Sequence, residues 1–371
     1  MRIAIDATAI GSGRGGDETY LRGLLAGLAE AAAETDRFTV YLRAAVPPPA
    51  ALVAHPAFLW RSIVTAPAVR FGAALPLALL REPRPDVLST LTHLPPLSTV
   101  PRALTVTDLS FRHHPEFYPP STRARLGLAM PLQVRLARAV LTLSEFCRRD
   151  LIDSYGLAPD KVFVVPCAIL AEPRATAPPP RPGGAAPYFV YVGNLNPRKN
   201  VDGLIDAFAR AARHPGLERH ELLVIGARWF SSGAPRATAP RVRFLGRVSD
   251  GERDSLVGGA DALVYPSRFE GFGLPPLEAM ALGTPVLTTT AGAIPETVGD
   301  AALLRGPDDI DGMAEALVRL ATDAALRADL RVRGYARVAR YRPRGTGEAA
   351  LRAFRWAAGA GQREALARVT R

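Results

Sequence analysis

Cysteine and lysine are nearly absent from this chain, and so is any long apolar run. Two cysteines, Cys147 and Cys167, cannot build a disulfide framework or a Cys-rich metal site, and a reducing cytoplasm is the expected compartment. No stretch approaches the ~18 consecutive apolar residues that a membrane-crossing helix needs. The most apolar region, Ser62 to Leu80, is interrupted by Pro67, Arg70 and Pro76. The opening MRIAIDATAI has no basic segment before a long apolar run, so it reads as a strand rather than a secretion signal. Only Lys161 and Lys199 are lysines, yet the formal net charge is +11, because arginine supplies nearly all the basic side chains. No helix-turn-helix, zinc-finger or aromatic RNA-binding pattern accompanies that charge, which argues against nucleic acid as a partner. Seven arginines between Arg112 and Arg149 face only Glu116 and Glu145 in the sequence. They read as a solvated basic helix face, with peripheral contact to an anionic inner-membrane surface as the other reading.

The 371 residues suggest two domains, each long enough for its own core. Short β-rich runs alternate with amphipathic helical stretches. In the first half the strand candidates are Arg2–Ile5, Phe38–Leu42, Val87–Leu91, Ala103–Val106, Val140–Leu143 and Val162–Val165, with helices at Tyr20–Ala33 and Thr122–Ala137. In the second half they are Tyr188–Val192, Glu221–Ile225, Arg241–Phe244, Ala262–Tyr265, Pro285–Thr289 and Ala301–Leu304, with helices at Val201–Arg213 and Asp309–Thr322. This alternation predicts parallel βαβ units. The expected architecture is α/β: two doubly wound domains facing across a cleft. The boundaries are 1–170, a proline-rich linker at 171–187, and 188–346, with a C-terminal helix around 347–371 packing back onto the first domain.

Three segments stand at strand ends where such folds bind ligands. The loop Gly11-Ser12-Gly13-Arg14-Gly15-Gly16 fits G-x-G-x-x-G, but a dinucleotide site needs an acid after the second strand, and Leu42-Arg43-Ala44 has none. Asp17 and Glu18 would also repel a pyrophosphate, so the loop is read as a flexible one lining the cleft. The segment Val192 to Asn200 ends in adjacent cations, Arg198 and Lys199, suited to a diphosphate. The segment Tyr265 to Glu278 combines loop glycines, prolines in a first helical turn and two carboxylates, Glu270 and Glu278. Glycines admit backbone amides to a ligand, and a helix N-terminus favours phosphate.

The Glu270…Glu278 pair, with seven residues between, resembles the E-x7-E motif of retaining glycosyltransferases of the GT-B fold. PSRFEGFGLPPLEAMALGTPVLTT resembles glycosyltransferase family 4 nearly residue by residue, as do YVGNLNPRKN, VRFLGRVSD, AGAIPETVGDAALL, LTVTDLSFRHHPEFYPP and LTLSEFCRRDLIDSYGLAPDKVFVVP. The resemblance implies a metal-independent, retaining hexosyltransferase acting on a GDP-mannose-like or other nucleotide diphosphate sugar and a hydroxyl acceptor, with no cofactor. It implies that Arg198 and Lys199 grip the diphosphate and that Glu278 bonds the ribose. Glu270 and the backbone of Phe272, Gly273 and Leu274 would hold the sugar, Arg247 and Val248 would lie beside the base, and Gly15 and Gly16 would belong to a loop closing on the donor.

Three family features differ here, one being a glycine loop longer and more acidic than usual through Asp17 and Glu18. Thr107-Asp108 stands where the family often has His-Asp, which leaves Asp108 as the candidate catalytic acid of the first half. Pro166-Cys167-Ala168 stands where Pro-Asn-Gly is frequent. Thr107, Asp108 and His93 are the candidate acceptor residues. A nucleotide-sugar epimerase or hydrolase, a nucleotide-sugar binding protein without catalysis, and more remotely a Rossmann oxidoreductase are the alternatives. Asp309-Ile310-Asp311 is read as a helix cap rather than a metal-binding D-x-D.

Overall fold

The computed structural model describes residues 1–13, 15–64, 66–81, 83–171, 186–227 and 240–359. Most of the expected linker, at 172–185, and the last part of the expected C-terminal helix, at 360–371, lie outside the described residues. The chain forms two compact units, one from Met1–Leu170 with Tyr341–Arg371 and one from Ala171–Arg340.

The first unit contains a parallel sheet of β1 (Arg2–Asp6), β2 (Arg37–Arg43), β3 (Phe58–Ile63), β4 (Val87–Leu91), β5 (Arg102–Thr105), β6 (Ala139–Thr142) and β7 (Val162–Val164). Their order is β3-β2-β1-β4-β5-β6-β7. Central strands are buried along nearly their whole length, as at Ala139–Thr142, because helices cover both faces. Strand β3 was not among the sequence expectations. FLWRSI lies at the sheet edge and buries only Phe58 and Ile63, so its apolar pattern is weak.

The first helix, α1 (Gly15–Ala31), begins five residues before the expected Tyr20. Gly15 and Gly16 are therefore its first residues, which corrects their placement in a loop. Asp17 and Glu18 fall in the first turn, where negative charge offsets the helix dipole, and Glu18 pairs with Arg22 at 2.7 Å one turn on. The turn itself is made by Gly11 and Gly13, at φ 74° and 72°. Two further helices, α2 (Pro120–Leu136) and α3 (Glu145–Tyr155), follow.

The second unit has β8 (Tyr188–Val192), α4 (Val201–Ala211), β9 (Glu221–Ile225), β10 (Val242–Gly246), α5 (Asp250–Gly258), β11 (Ala262–Tyr265), α6 (Leu274–Ala281), β12 (Val286–Thr289), β13 (Leu303–Arg305), α7 (Ile310–Thr322) and α8 (Ala324–Val338). Its parallel order is β10-β9-β8-β11-β12-β13. Strand order thus reverses between β1 and β4 in the first sheet and between β8 and β11 in the second. Loops leaving the carboxyl ends of such a pair are where open α/β sheets bind ligands.

From Tyr341 onward the described chain rejoins the first unit. Ile169 N–H donates to Tyr341 O at 2.9 Å, and Thr346 Oγ1 to Pro166 O at 3.0 Å. The last helix, α9 (Pro343–Ala357), starts earlier than the expected Gly347 because Pro343 occupies its first turn, where a missing N–H costs nothing. It packs on α1 backbone to backbone. A Cβ on Gly27 would lie 2.2 Å from Pro343 O, and one on Gly347 only 1.9 Å from Gly27 O.

Candidate functional site

In the second unit, the two loops at the strand-order reversal are those that follow β8 and β11. The first is held by its own side chains. Asn196 Oδ1 accepts the Arg198 N–H at 2.9 Å. Asn200 takes the left-handed conformation at φ 53° and donates from Nδ2 to Pro307 O at 2.6 Å. The second loop is laced to it: Arg268 N–H donates to Arg198 O at 2.8 Å, and the Ser267 hydroxyl oxygen lies 3.2 Å from the same oxygen.

This lacing brings Arg198, Lys199 and Glu270 together. Lys199 Nζ donates to Glu270 Oε1 at 2.6 Å and to the Tyr265 hydroxyl at 2.5 Å. Tyr265 and Ser267 hydroxyls donate to the same Oε1 at 3.1 and 2.5 Å. Arg198 Nη1 lies 3.9 Å from Glu270 Oε2 and donates to Phe269 O at 3.2 Å. Glu270 is only 8% exposed. Burial pushes its carboxyl up, but Lys199 and Arg198, with the Lys199 and Ser267 hydrogen bonds, outweigh burial and hold it at about 2. It is ionised at neutral pH. Its backbone is fixed as well, since Glu270 O accepts Ala293 N–H at 2.9 Å beside Gly292 (φ 60°), where a Cβ would stand 2.4 Å from that oxygen.

After this cluster, Phe272 is buried and Gly273, at φ 103°, opens α6. Leu274, Pro275 and Pro276 form the first turn, as the sequence suggests. Glu278, the fifth residue of α6, is partly exposed, and no donor hydrogen-bonds its carboxylate among the described residues. Burial raises its pKa. Arg253 on α5 opposes the rise, and Asp254 and Asp250 add to it. The two glutamates therefore have opposite environments. Glu270 is locked to cations, whereas Glu278 remains uncommitted. Arg247 is exposed and Val248 half-buried just after β10, whose register shifts between Phe244 and Gly246. That bulge turns the chain at Gly246, at φ 67°.

The first-unit candidates are placed by a separate set of contacts. Asp108 Oδ1 accepts the Ser110 N–H at 2.9 Å and also the Ser110 hydroxyl, which lies 2.5 Å from the Tyr118 hydroxyl. Thr107 O accepts from Cys147 Sγ at 3.4 Å. His93 follows Thr92, at φ 66°, beyond β4 and meets Phe71 edge-on, the ring centroids 6.0 Å apart. His93 and Gly11–Gly13 thus follow β4 and β1, the pair at which the first sheet reverses. Sequence reading missed the Asp6–Arg70 pair, 3.4 Å apart and well buried at the end of β1, and the roles of Tyr265 and Ser267. Tyr265 and Ser267 precede Glu270 by five and three residues, so the signal was there, hidden among residues read as strand end and turn. Asp309 caps α7 by accepting Gly312 N–H at 2.9 Å, as expected. Among the described residues no group of three or more His, Cys, Asp or Glu side chains could hold a metal ion.

Residues 14–172 match the family model described as Glycosyltransferase Family 4, and residues 186–323 match Glycosyl transferases group 1. The chain thus carries a Glycosyltransferase Family 4 domain followed by a Glycosyl transferases group 1 domain. A relative, the O-antigen chain mannosyltransferase B of Escherichia coli, is 28% identical over 256 residues, covering 64% of this chain and 65% of that protein. The MMP alpha-(1->4)-mannosyltransferase of Mycolicibacterium hassiacum is 31% identical over 202 residues, 51% of this chain and 47% of the relative. The alignments thus span from about half to just under two thirds of these relatives' length. Among solved structures, sucrose-phosphate synthase from Thermosynechococcus elongatus superimposes with a TM-score of 0.73 at 20% identity, covering 96% of this chain and 98% of that one. HepE from Anabaena, solved with UDP and glucose, gives 0.66 at 18% identity, covering 92% and 95%. These structural likenesses place the chain in the GT-B fold.

Proposed function

We propose that this chain transfers a hexosyl group, mannosyl in the first instance, from a nucleotide diphosphate sugar to a hydroxyl of a polysaccharide, glycolipid or natural-product acceptor, retaining the anomeric configuration and using no metal. The observation that carries the reading is the convergence of Arg198, Lys199 and ionised Glu270 at the carboxyl ends of β8 and β11, next to the N-terminus of α6. The mannosyltransferase relatives support the sugar, and HepE with UDP and glucose supports the donor class.

In this reading the leaving diphosphate gathers negative charge in the transition state, and a preorganised guanidinium, ammonium and helix N-terminus stabilise it there. Arg198 offers its planar fork and Lys199 a compact charge. Glu270 holds Lys199 in place and, with the backbone of Phe272, Gly273 and Leu274, orients the sugar. Glu278, uncommitted to the protein, accepts from the ribose, with Arg247 and Val248 beside the base. The acceptor falls to the first unit, at Asp108, Thr107 and His93, and Gly15 and Gly16 at the start of α1 serve the donor. The acceptor hydroxyl attacks from the face the diphosphate leaves, and its proton passes to that diphosphate.

Incubation with a panel of nucleotide diphosphate sugars, with and without candidate acceptors, tests this by NMR of the products. The expected result is acceptor-dependent release of the nucleoside diphosphate with the anomeric configuration kept. An inverted product, or sugar released equally fast without acceptor, overturns it.

A further inference from the structure

Helix α2 turns leucines toward solvent. Leu128, Leu132 and Leu136 recur at every fourth residue and are 82%, 60% and 42% exposed. The opposite side is anchored by Met130 and Val134 in the core of the first unit, so the outward stripe is fixed by packing. At 3.6 residues per turn, Arg125 and Arg135 project within about 60° of Leu128, among the leucines. The helix, PSTRARLGLAMPLQVRL, contains no acidic residue. No carboxylate answers Arg123, Arg125 or Arg135 among the described residues; Arg135 only reaches Pro131 O at 3.5 Å. Arg102 donates to Pro95 O at 3.2 Å and Leu136 O at 3.4 Å, which ties the loop of Leu97, 73% exposed, to the same end of the helix.

We propose that α2 is a docking face for an anionic bilayer, with its leucines entering the headgroup boundary and its arginines meeting lipid phosphates. An ordinary solvated helix face pairs its charges with opposite ones a turn away, and this one has none to pair. The centre of a protein interface is depleted of charge and rich in aromatic side chains, the reverse of a stripe in which arginines sit among leucines and no aromatic residue occurs. An apolar strip flanked by unneutralised arginines is what an anionic membrane surface recognises. The helix is already folded, so docking carries no ordering cost. Among the described residues no helix is long and apolar enough to cross a membrane, so the contact is a surface one.

Co-sedimentation of the full chain with vesicles of phosphatidylcholine alone, or mixed with phosphatidylglycerol, tests this. The parent is expected to bind the mixed vesicles only and to be released by high salt. The double variant Arg125→Gln/Arg135→Gln should bind roughly fivefold more weakly per arginine lost. Leu128→Ser/Leu132→Ser should bind roughly tenfold more weakly or worse, with unchanged thermal unfolding because both side chains are exposed. No binding to the anionic vesicles, or equal binding by parent and variants, overturns the proposal. So does a parent dimer that the leucine variant turns into a monomer while vesicle binding stays the same, because a second copy of this chain would then be covering the stripe.

Discussion

Removing the Lys199 ammonium while keeping its bulk, as in Lys199→Met, isolates the interaction on which the site's geometry turns. Glu270 is held from an ordinary 4.5 to about 2 despite its burial. At ~1.4 kcal/mol per tenfold change, this represents about 3 kcal/mol of preference for the charged form. Lys199 is the largest favourable contributor, followed by Arg198, so the Lys199–Glu270 pair is the interaction that most favours the charged form. The single variant also leaves a buried carboxylate short of its partner, which brings its expected cost at neutral pH to about 3–5 kcal/mol.

A double-mutant cycle of Lys199→Met and Glu270→Gln, followed by denaturant unfolding, reads the pair directly. Because the folded pKa of Glu270 is depressed, its stabilisation is complete above about 4.5 and is lost as pH falls toward 2. The gap between parent and Lys199→Met should therefore be widest at neutral pH and narrow in acid. A coupling energy under about 0.5 kcal/mol, or a gap indifferent to acid, would refute the reasoning.

Glu278→Gln should weaken binding of the free nucleoside diphosphate while sparing stability, as calorimetry would show. In the parent, acidification should weaken that binding already above the usual carboxylate range, because a raised pKa means Glu278 loses its charge early. Glu270→Gln should leave diphosphate binding nearly intact but cut turnover, by about a hundredfold if the sugar is misplaced, which steady-state kinetics would resolve. Gly27→Ala should destabilise the first unit by about 1–3 kcal/mol, visible in thermal unfolding, because the new methyl group meets Pro343 O and the Gly347 backbone. Transfer should continue in a strong chelator; turnover lost there and restored by magnesium or manganese would contradict the metal-free reading.

Much of this was legible in the sequence, for identifiable reasons. The central strands are buried on both faces, so they announce themselves as short apolar runs such as YFVYV and ALVY. Strand β3 does not, because an edge strand carries Arg61 and Ser62 where a central one would bury side chains. Gly15 and Gly16 read as loop by propensity, but the acidic first turn of α1 outweighs their cost. At the site, motif order brought out Arg198, Lys199 and Glu270, since strand-end loops in an alternating α/β chain must gather on one sheet edge. What it could not show is the direction of each side chain. That Lys199 and Glu270 face each other, with Tyr265 and Ser267 donating to the same oxygen, depends on long-range lacing through Arg268 and Arg198. The outward leucines of α2 were hidden because an apolar residue in a helix is expected to face the core.

The most direct test of the account is calorimetric titration of the parent and Arg198→Ala with guanosine, uridine, adenosine and thymidine diphosphates. The account predicts that at least one diphosphate binds the parent without added metal. It also predicts that Arg198→Ala loses roughly tenfold or more in affinity for it, the worth of a charge-assisted phosphate contact. A parent that binds none of them, or an Arg198→Ala variant that binds as tightly as the parent, would contradict it.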